Sequence, residues 1–159
     1  MKSSPAEELT KGRQMLKGIN PLVGPELLSI LRSMGHGDEI AVVDANYPAV
    51  SHAKRLVRMD GHSAPAITDA ILSLMPLDRD VPEAAFRPCA FGDCNRIEPI
   101  YEEFQSSIEK FEPGIVLTPI AGPPFYERIK AAYAIVASGE GRLYGNIILR
   151  KGVIAPGVT

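Results

Sequence analysis

Pro25-Glu26-Leu27-Leu28-Ser29-Ile30-Leu31-Arg32-Ser33-Met34-Gly35-His36-Gly37-Asp38-Glu39-Ile40-Ala41-Val42-Val43-Asp44 reads as a helix, a stop and a buried strand in one uninterrupted run. Proline suits the first turn of a helix, because its missing N–H would be unpaired there anyway. Leu27, Leu28, Leu31 and Met34 follow at helical spacing, and Gly35 is expected to be the left-handed stop. Glu39 to Val43 then forms a short apolar run ending at Asp44, before Asn46-Tyr47-Pro48 breaks it.

Outward from this unit, the alternation continues. Leu56 to Met59 reads as a strand with Asp60-Gly61 as its turn. Ile67, Ala70, Ile71 and Leu74 predict a second helix stopped by Pro76, and Leu77 to Pro88 a surface connection. Phe86 to Phe91 is expected as a strand, Ile97 to Phe111 as a helix and Ile115 to Leu117 as a strand. Pro124 opens a helix expected to carry Ile129, Ala132, Tyr133 and Val136 and to end near Gly139, and Ile147 to Leu149 closes as the last strand. Strands alternating with helices indicate an α/β domain with a largely parallel sheet flanked by helices. Residues 1–14 are polar and are expected to be a disordered extension or leader, leaving 15–159 as one domain.

The chain has 159 residues, enough to bury a hydrophobic core, with 45% hydrophobic and 23% charged residues. A formal charge of -2 and no basic block argue against nucleic-acid binding. No apolar stretch is long enough to span a bilayer, and no secretory signal opens the chain, so cytoplasm is the expected location. Cys89 and Cys94 make neither a disulfide framework nor a zinc pattern, and are expected to be reduced thiols.

Chemistry gathers in a few places. His36 lies between two glycines just after a helix C-terminus, whose partial negative charge favours the imidazolium. Such a ring is expected to titrate near neutral pH and to pass protons both ways. The alternative is a surface-loop histidine without a role. Asp44 ends a buried strand, where open α/β sheets place ligands, and its carboxylate can accept bonds from adjacent sugar hydroxyls. Its alternative is a cap for the following turn. Tyr144-Gly145-Asn146 precedes the last strand and supplies a ring to stack, a glycine for close approach and an amide for hydroxyls. Phe125 is expected in the core and Glu127 in the first turn of its helix. Arg128 could reach a substrate oxygen, with a solvated or ion-paired arginine as the stronger alternative.

At about 3.3 Å per residue, His36 and Asp44 are ~15 Å or more apart along the strand. Either the Gly35–Gly37 loop folds back, or the two act in different sites across a subunit interface, and the second is the preferred expectation. There is no phosphate-binding glycine loop, no nucleophile elbow and no metal spacing among His36, His52 and His62. A site of His, Asp, Tyr and Asn without cofactor or metal suits polyhydroxyl binding with proton transfer.

In this order, the segments resemble the fucose mutarotase/ribose pyranase family, most closely its fucose mutarotase branch, from Met15 to Val153. The likeness runs through Pro25-Glu26-Leu27-Leu28, Met34 to Ile40, Asp44-Ala45, Arg58 with Asp60-Gly61, and Phe125-Tyr126-Glu127-Arg128. It continues through Ala134-Ile135-Val136, Gly139-Glu140, Tyr144-Gly145-Asn146-Ile147 and Lys151-Gly152-Val153. The ribose branch usually has threonine in place of Gly37. The resemblance implies an α/β fold in rings or smaller oligomers with sites at subunit contacts. It implies that His36 transfers protons and that Asp44, Tyr144 and Asn146 bind a monosaccharide, with the Gly145 backbone nearby. The expected activity is anomer exchange of a free sugar, L-fucose first. The alternatives are pyranose–furanose exchange of ribose, and non-catalytic sugar binding in transport or regulation. One departure stands out: Gly122 occupies a position where the fucose branch typically has arginine and the ribose branch histidine.

Overall fold

The computed structural model describes residues 14–157; the expectation for residues 1–14 therefore lies, but for Gln14, outside the described residues. The first unit forms as its spacing dictates. Helix α1 spans Pro25–Ser33 and buries Leu27 and Leu31, and strand β1 spans Glu39–Val43. The stop differs from expectation. Met34 leaves the helix in an extended conformation, and the left-handed glycine is Gly37, at φ 86°. A Cβ at Gly37 would also lie 2.9 Å from Nη2 of Arg150. Gly37→Ala is therefore expected to lower stability by about 1–3 kcal/mol, read as a drop in the urea midpoint without a change in slope.

After β1 come the short helix α2 (Ala49–His52), β2 (Leu56–Met59) and α3 (Ala64–Leu72). Strand β3 (Ala85–Pro88) leads into α4 (Pro99–Phe111), β4 (Thr118–Ile120), α5 (Pro123–Ala131), β5 (Ala134–Ser138) and β6 (Ile147–Arg150). The sheet order is β2-β5-β1-β6-β3-β4. Neighbours pair in parallel except at β6, which runs against both β1 and β3. The largely parallel sheet is thus as expected, with one reversed strand near its middle.

Strand β5 corrects the reading of a helix extending to Gly139. Ile129, Ala132, Tyr133 and Val136 have helical spacing, but Ala132 already turns to ψ 150°. Ala134-Ile135-Val136-Ala137 pairs with β1 on one side and β2 on the other. A continuous apolar run does not distinguish a buried strand from a buried helix by periodicity; two open edges decide it. Three smaller differences follow from packing. The connection from Leu77 is not a surface one, since Leu77 and Asp78 are both 2% exposed and Leu77 bridges to Lys151. The strand expected at Ile115–Leu117 lies three residues later, while Leu117 packs in the core. Glu127 lies beyond the first turn of α5 and pairs with Lys130, whereas Phe125 is fully buried as expected.

Both faces of the central strands are covered, which is why β1 reads as a near-continuous apolar run. Ile40 and Val42 face a core built with α1, α3 and α4. Ala41 and Val43 face a second core with Phe125 and Ile129 of α5 and Ala49 of α2. Helix α4 shows the same logic, burying Ile100, Tyr101, Phe104 and Ile108 along one stripe. Among the described residues, no helix is long and apolar enough to cross a membrane.

The cysteines are the clearest correction. Cys89 and Cys94 form a disulfide rather than two thiols. A single helical turn at Ala90–Gly92, with Phe91 and Gly92 at positive φ, folds the chain back and brings their Cα atoms within 4.3 Å. Their spacing alone does not reveal that turn.

Candidate functional site

The two ends of β1 carry two different constellations. At the C-terminal end, a pocket of about 410 Å³ is lined by Asp44, Tyr47, His52, Tyr126, Tyr144 and Asn146, together with Asn46, Pro48 and Leu143. A volume of that size suits a small molecule. Asp44 is 7% exposed. Its Oδ1 accepts the Asn46 N–H at 2.9 Å, and its own N–H donates to Oδ1 of Asn146 at 2.8 Å. Burial pushes the Asp44 carboxyl up, while hydrogen bonds from Asn46, Asn146 and the Gly145 backbone oppose that shift. The group is both a turn cap and an acceptor at the pocket wall, so its two readings are not exclusive.

The Tyr144 loop is shaped for this wall. Tyr144 has φ 58°, an uncommon conformation for a residue with a side chain. Its carbonyl accepts from Tyr101 Oη at 3.0 Å and from the Asn146 N–H at 2.9 Å. A Cβ at Gly145 would stand 3.0 Å from the Arg142 carbonyl, Glu140 Cγ and Ile100 Cδ1, so the glycine is needed by the protein's own packing. Glu140, 5% exposed, ties the parts together. Its backbone carbonyl accepts the Ala45 N–H and its carboxylate pairs with Arg142 at 2.7 Å.

Three aromatic or imidazole residues in the pocket escape sequence reasoning. Tyr47 stacks on Tyr126 with ring centroids 6.3 Å apart, and its hydroxyl lies 2.8 Å from Nδ1 of His52. Burial, with Tyr126 and Glu127 nearby, pushes the Tyr47 phenol up to about 12. The phenol is therefore neutral where it meets the His52 ring. Tyr47 had a signal only as part of a turn; Tyr126 only as part of a family segment.

His36 lies at the other end of β1. Its Nε2 is 3.0 Å from Oδ1 of Asp78, and Oδ2 of Asp78 accepts from Nε of Arg150 at 2.9 Å. The Asp80 N–H also donates to Asp78 Oδ1 at 3.0 Å. Burial alone would raise the Asp78 carboxyl, but the bonds from Arg150 and His36 bring it down to about 2. An imidazole held by a buried carboxylate is the arrangement that orients a proton-transfer group. The aspartate stands 42 residues away in sequence, within a stretch that reads as surface, so nothing local marks it.

His36, Asp78 and Asp80 also place three ligand atoms within 4.8 Å of one another. The Asp78 carboxylate, however, already has its charge met by the Arg150 guanidinium. The pH dependence has a definite sign. Because the folded carboxyl lies below its ordinary 3.8, its stabilisation is complete above that value and is lost as pH falls through about 2. Asp78→Asn is expected to remove that acid-side slope in urea midpoints.

Arg128 does not join the Asp44 pocket. Its Nε and Nη2 grip Glu39 at 2.8 and 2.7 Å, and its guanidinium lies 3.8 Å over the Phe86 ring. Glu39 starts β1, whereas Asp44 follows its end. Gly122 caps α5 at φ 62°, ψ -148°, a conformation nearly exclusive to glycine, and a Cβ there would meet nothing within 4 Å.

A mixed α/β sheet with an aromatic-walled pocket at a strand end, carrying a few convergent polar groups, is the form of a small-molecule site. The chain belongs to the RbsD / FucU transport protein family, whose model matches residues 17–154. It is 43% identical over 146 residues to the fucose mutarotase of Homo sapiens, covering 88% of this chain and 95% of that protein. It is likewise 43% identical over 143 residues to the L-fucose mutarotase of Haemophilus influenzae, covering 87% and 97%. The structure of the Streptococcus pneumoniae fucose mutarotase in complex with L-fucose superposes with a TM-score of 0.77 at 42% identity, covering 88% of this chain and all of that one.

Proposed function

We propose that this chain is a mutarotase that interconverts the α and β anomers of L-fucose by acid–base ring opening and closing. The observation that carries the reading is its identity of 42% to a fucose mutarotase that holds L-fucose, across nearly the full length of both chains. The pocket chemistry agrees with it. Asp44 and Asn146 supply acceptors and donors for neighbouring hydroxyls, and Tyr144 and Tyr126 supply ring faces for the C–H side of a pyranose.

In the reaction, the anomeric hydroxyl gives up its proton while the ring oxygen gains one, and the C1–O5 bond opens to the aldehyde. Rotation about C1–C2 and closure on the other carbonyl face reverse both transfers. His36 is the group that takes and returns the proton, with Asp78 orienting the ring. The two constellations lie at opposite ends of β1, so the complete site combines His36 of one copy with the Asp44 pocket of a neighbour. Such a contact uses two different surfaces, and repeated head to tail it closes a ring when the rotation allows.

The test is saturation-transfer NMR of anomer exchange on L-fucose, D-ribose and D-galactose. Acceleration greatest with L-fucose is the expected result; acceleration with D-ribose alone would move the assignment to pyranose–furanose exchange. Gly122 favours one second reading, a sugar-binding protein without useful catalysis, because no side chain projects from that position. Sugar binding with no acceleration of any of the three would support it.

A further inference from the structure

Two residues with side chains occupy the left-handed region among those described, Phe91 at φ 53° and Tyr144 at φ 58°, and they touch. Their rings meet edge to face with centroids 4.9 Å apart. Left-handed backbone at such residues persists only where the surroundings hold it, and here the surroundings are traceable on both sides. Phe91 sits in the turn closed by the Cys89–Cys94 disulfide, and the Arg96 guanidinium lies 4.6 Å over its ring. Phe91 is nevertheless 58% exposed, so it has no core burial to fix it. Tyr144 is anchored from behind through Tyr101, whose hydroxyl donates to the Tyr144 carbonyl. Arg87 lies over the Tyr101 ring and donates to the carbonyl of Cys94 at 3.0 Å. One scaffold thus sets the distance between the bridged turn and the pocket wall.

We propose that Phe91 is a positioning residue for the Tyr144 ring and that the Cys89–Cys94 bridge holds it there, so that sugar affinity depends on the redox state of the bridge. The proposal rests on the reading of Tyr144 as a sugar contact. Its redox step needs a dithiol reductant. A reductant thiolate attacks the sulfur of Cys94, which is only partly buried. Cys89 leaves as thiolate and takes up a proton. The second thiol of the reductant then displaces Cys94, which is released as a thiol while the reductant closes to a cyclic disulfide. With the bridge open, the turn has no covalent closure, Phe91 relaxes out of its left-handed conformation, and the Tyr144 ring loses its edge contact.

The full chain is compared oxidised and after dithiothreitol, with thiols counted in both states. Two readouts are followed: L-fucose affinity by titration calorimetry, and the ring-proton resonances of Tyr144, assigned with Tyr144→Phe. Reduction is expected to expose two thiols, shift the Tyr144 resonances as the Phe91 ring current is lost, and weaken L-fucose binding by about fivefold. Exchange at saturating sugar should stay within about twofold, since affinity rather than proton transfer is affected. Phe91→Ala, a substitution at an exposed side chain, should bind at the weakened level and no longer respond to dithiothreitol. Cys89→Ser with Cys94→Ser should match the reduced protein. Two free thiols before reduction, unchanged Tyr144 resonances once the bridge is open, or a full reductant response in Phe91→Ala would each overturn the proposal. If oxidised wild type binds no L-fucose, the mutarotase reading fails, and the Tyr144 resonances still decide whether the bridge positions that ring.

Discussion

Replacing His36 with alanine is expected to slow protein-assisted anomer exchange of L-fucose by about 10²–10⁴-fold, the range that one positioned acid–base group contributes. The spontaneous reaction is measurable, so the loss should leave a rate close to that of the sugar alone. The fold should survive, because the His36 side chain is 45% exposed and Asp78 retains both Arg150 and the Asp80 N–H when the ring is removed. Saturation-transfer NMR beside a thermal melt checks both halves. Exchange at the wild-type rate would remove His36 from the mechanism. It would then direct attention to His52, the imidazole that lines the Asp44 pocket itself.

The second large effect is at Asp44. Asp44→Asn keeps an oxygen for the Asn46 N–H but replaces a charged acceptor with a neutral amide. Hydrogen bonds to a charged group contribute about 1.5–3 kcal/mol, so L-fucose affinity should fall by roughly 10- to 100-fold. A pH series sharpens the test. Burial raises the Asp44 carboxyl, so wild-type affinity should begin to fall on acidification at a higher pH than an exposed aspartate would give. Protonation there removes the charged acceptor, and Asp44→Asn should lack that decline. Unchanged affinity in the variant would leave Asp44 as a turn cap alone. The contrast between the variants is informative: loss at His36 should appear in the exchange rate at saturating sugar, and loss at Asp44 in binding.

Much of this arrangement is legible in the residues from Pro25 to Asp44. Apolar spacing there reports burial on one helix stripe, and then on both faces of a strand. The positions of His36 before β1 and Asp44 after it follow directly, as does their separation. Tyr144 and Asn146 are legible for a similar reason, since they adjoin the strand beside β1. The ordered segments also mark the family, and the match over residues 17–154 agrees.

Most of what lies beyond reach of the sequence depends on partners distant along the chain, and one feature on a local left-handed turn. Ala134–Ser138 is a strand because β1 and β2 each offer it an edge, although its local spacing continues the preceding helix. Asp78 meets both His36 and Arg150 of β6, and Arg128 is drawn to Glu39 rather than to the pocket. Cys89 and Cys94 meet because a left-handed residue turns the chain between them. The sequence by itself determined the α/β alternation, the buried β1 strand and which chemistry stands at each of its ends. Tertiary structure alone decided the pairing of β5, the carboxylate behind His36 and the approach of Tyr126 to Asp44, because each requires closing a loop whose far end local periodicity does not encode. It also decided the bridge beside Tyr144, because cysteine spacing does not encode the left-handed turn between them.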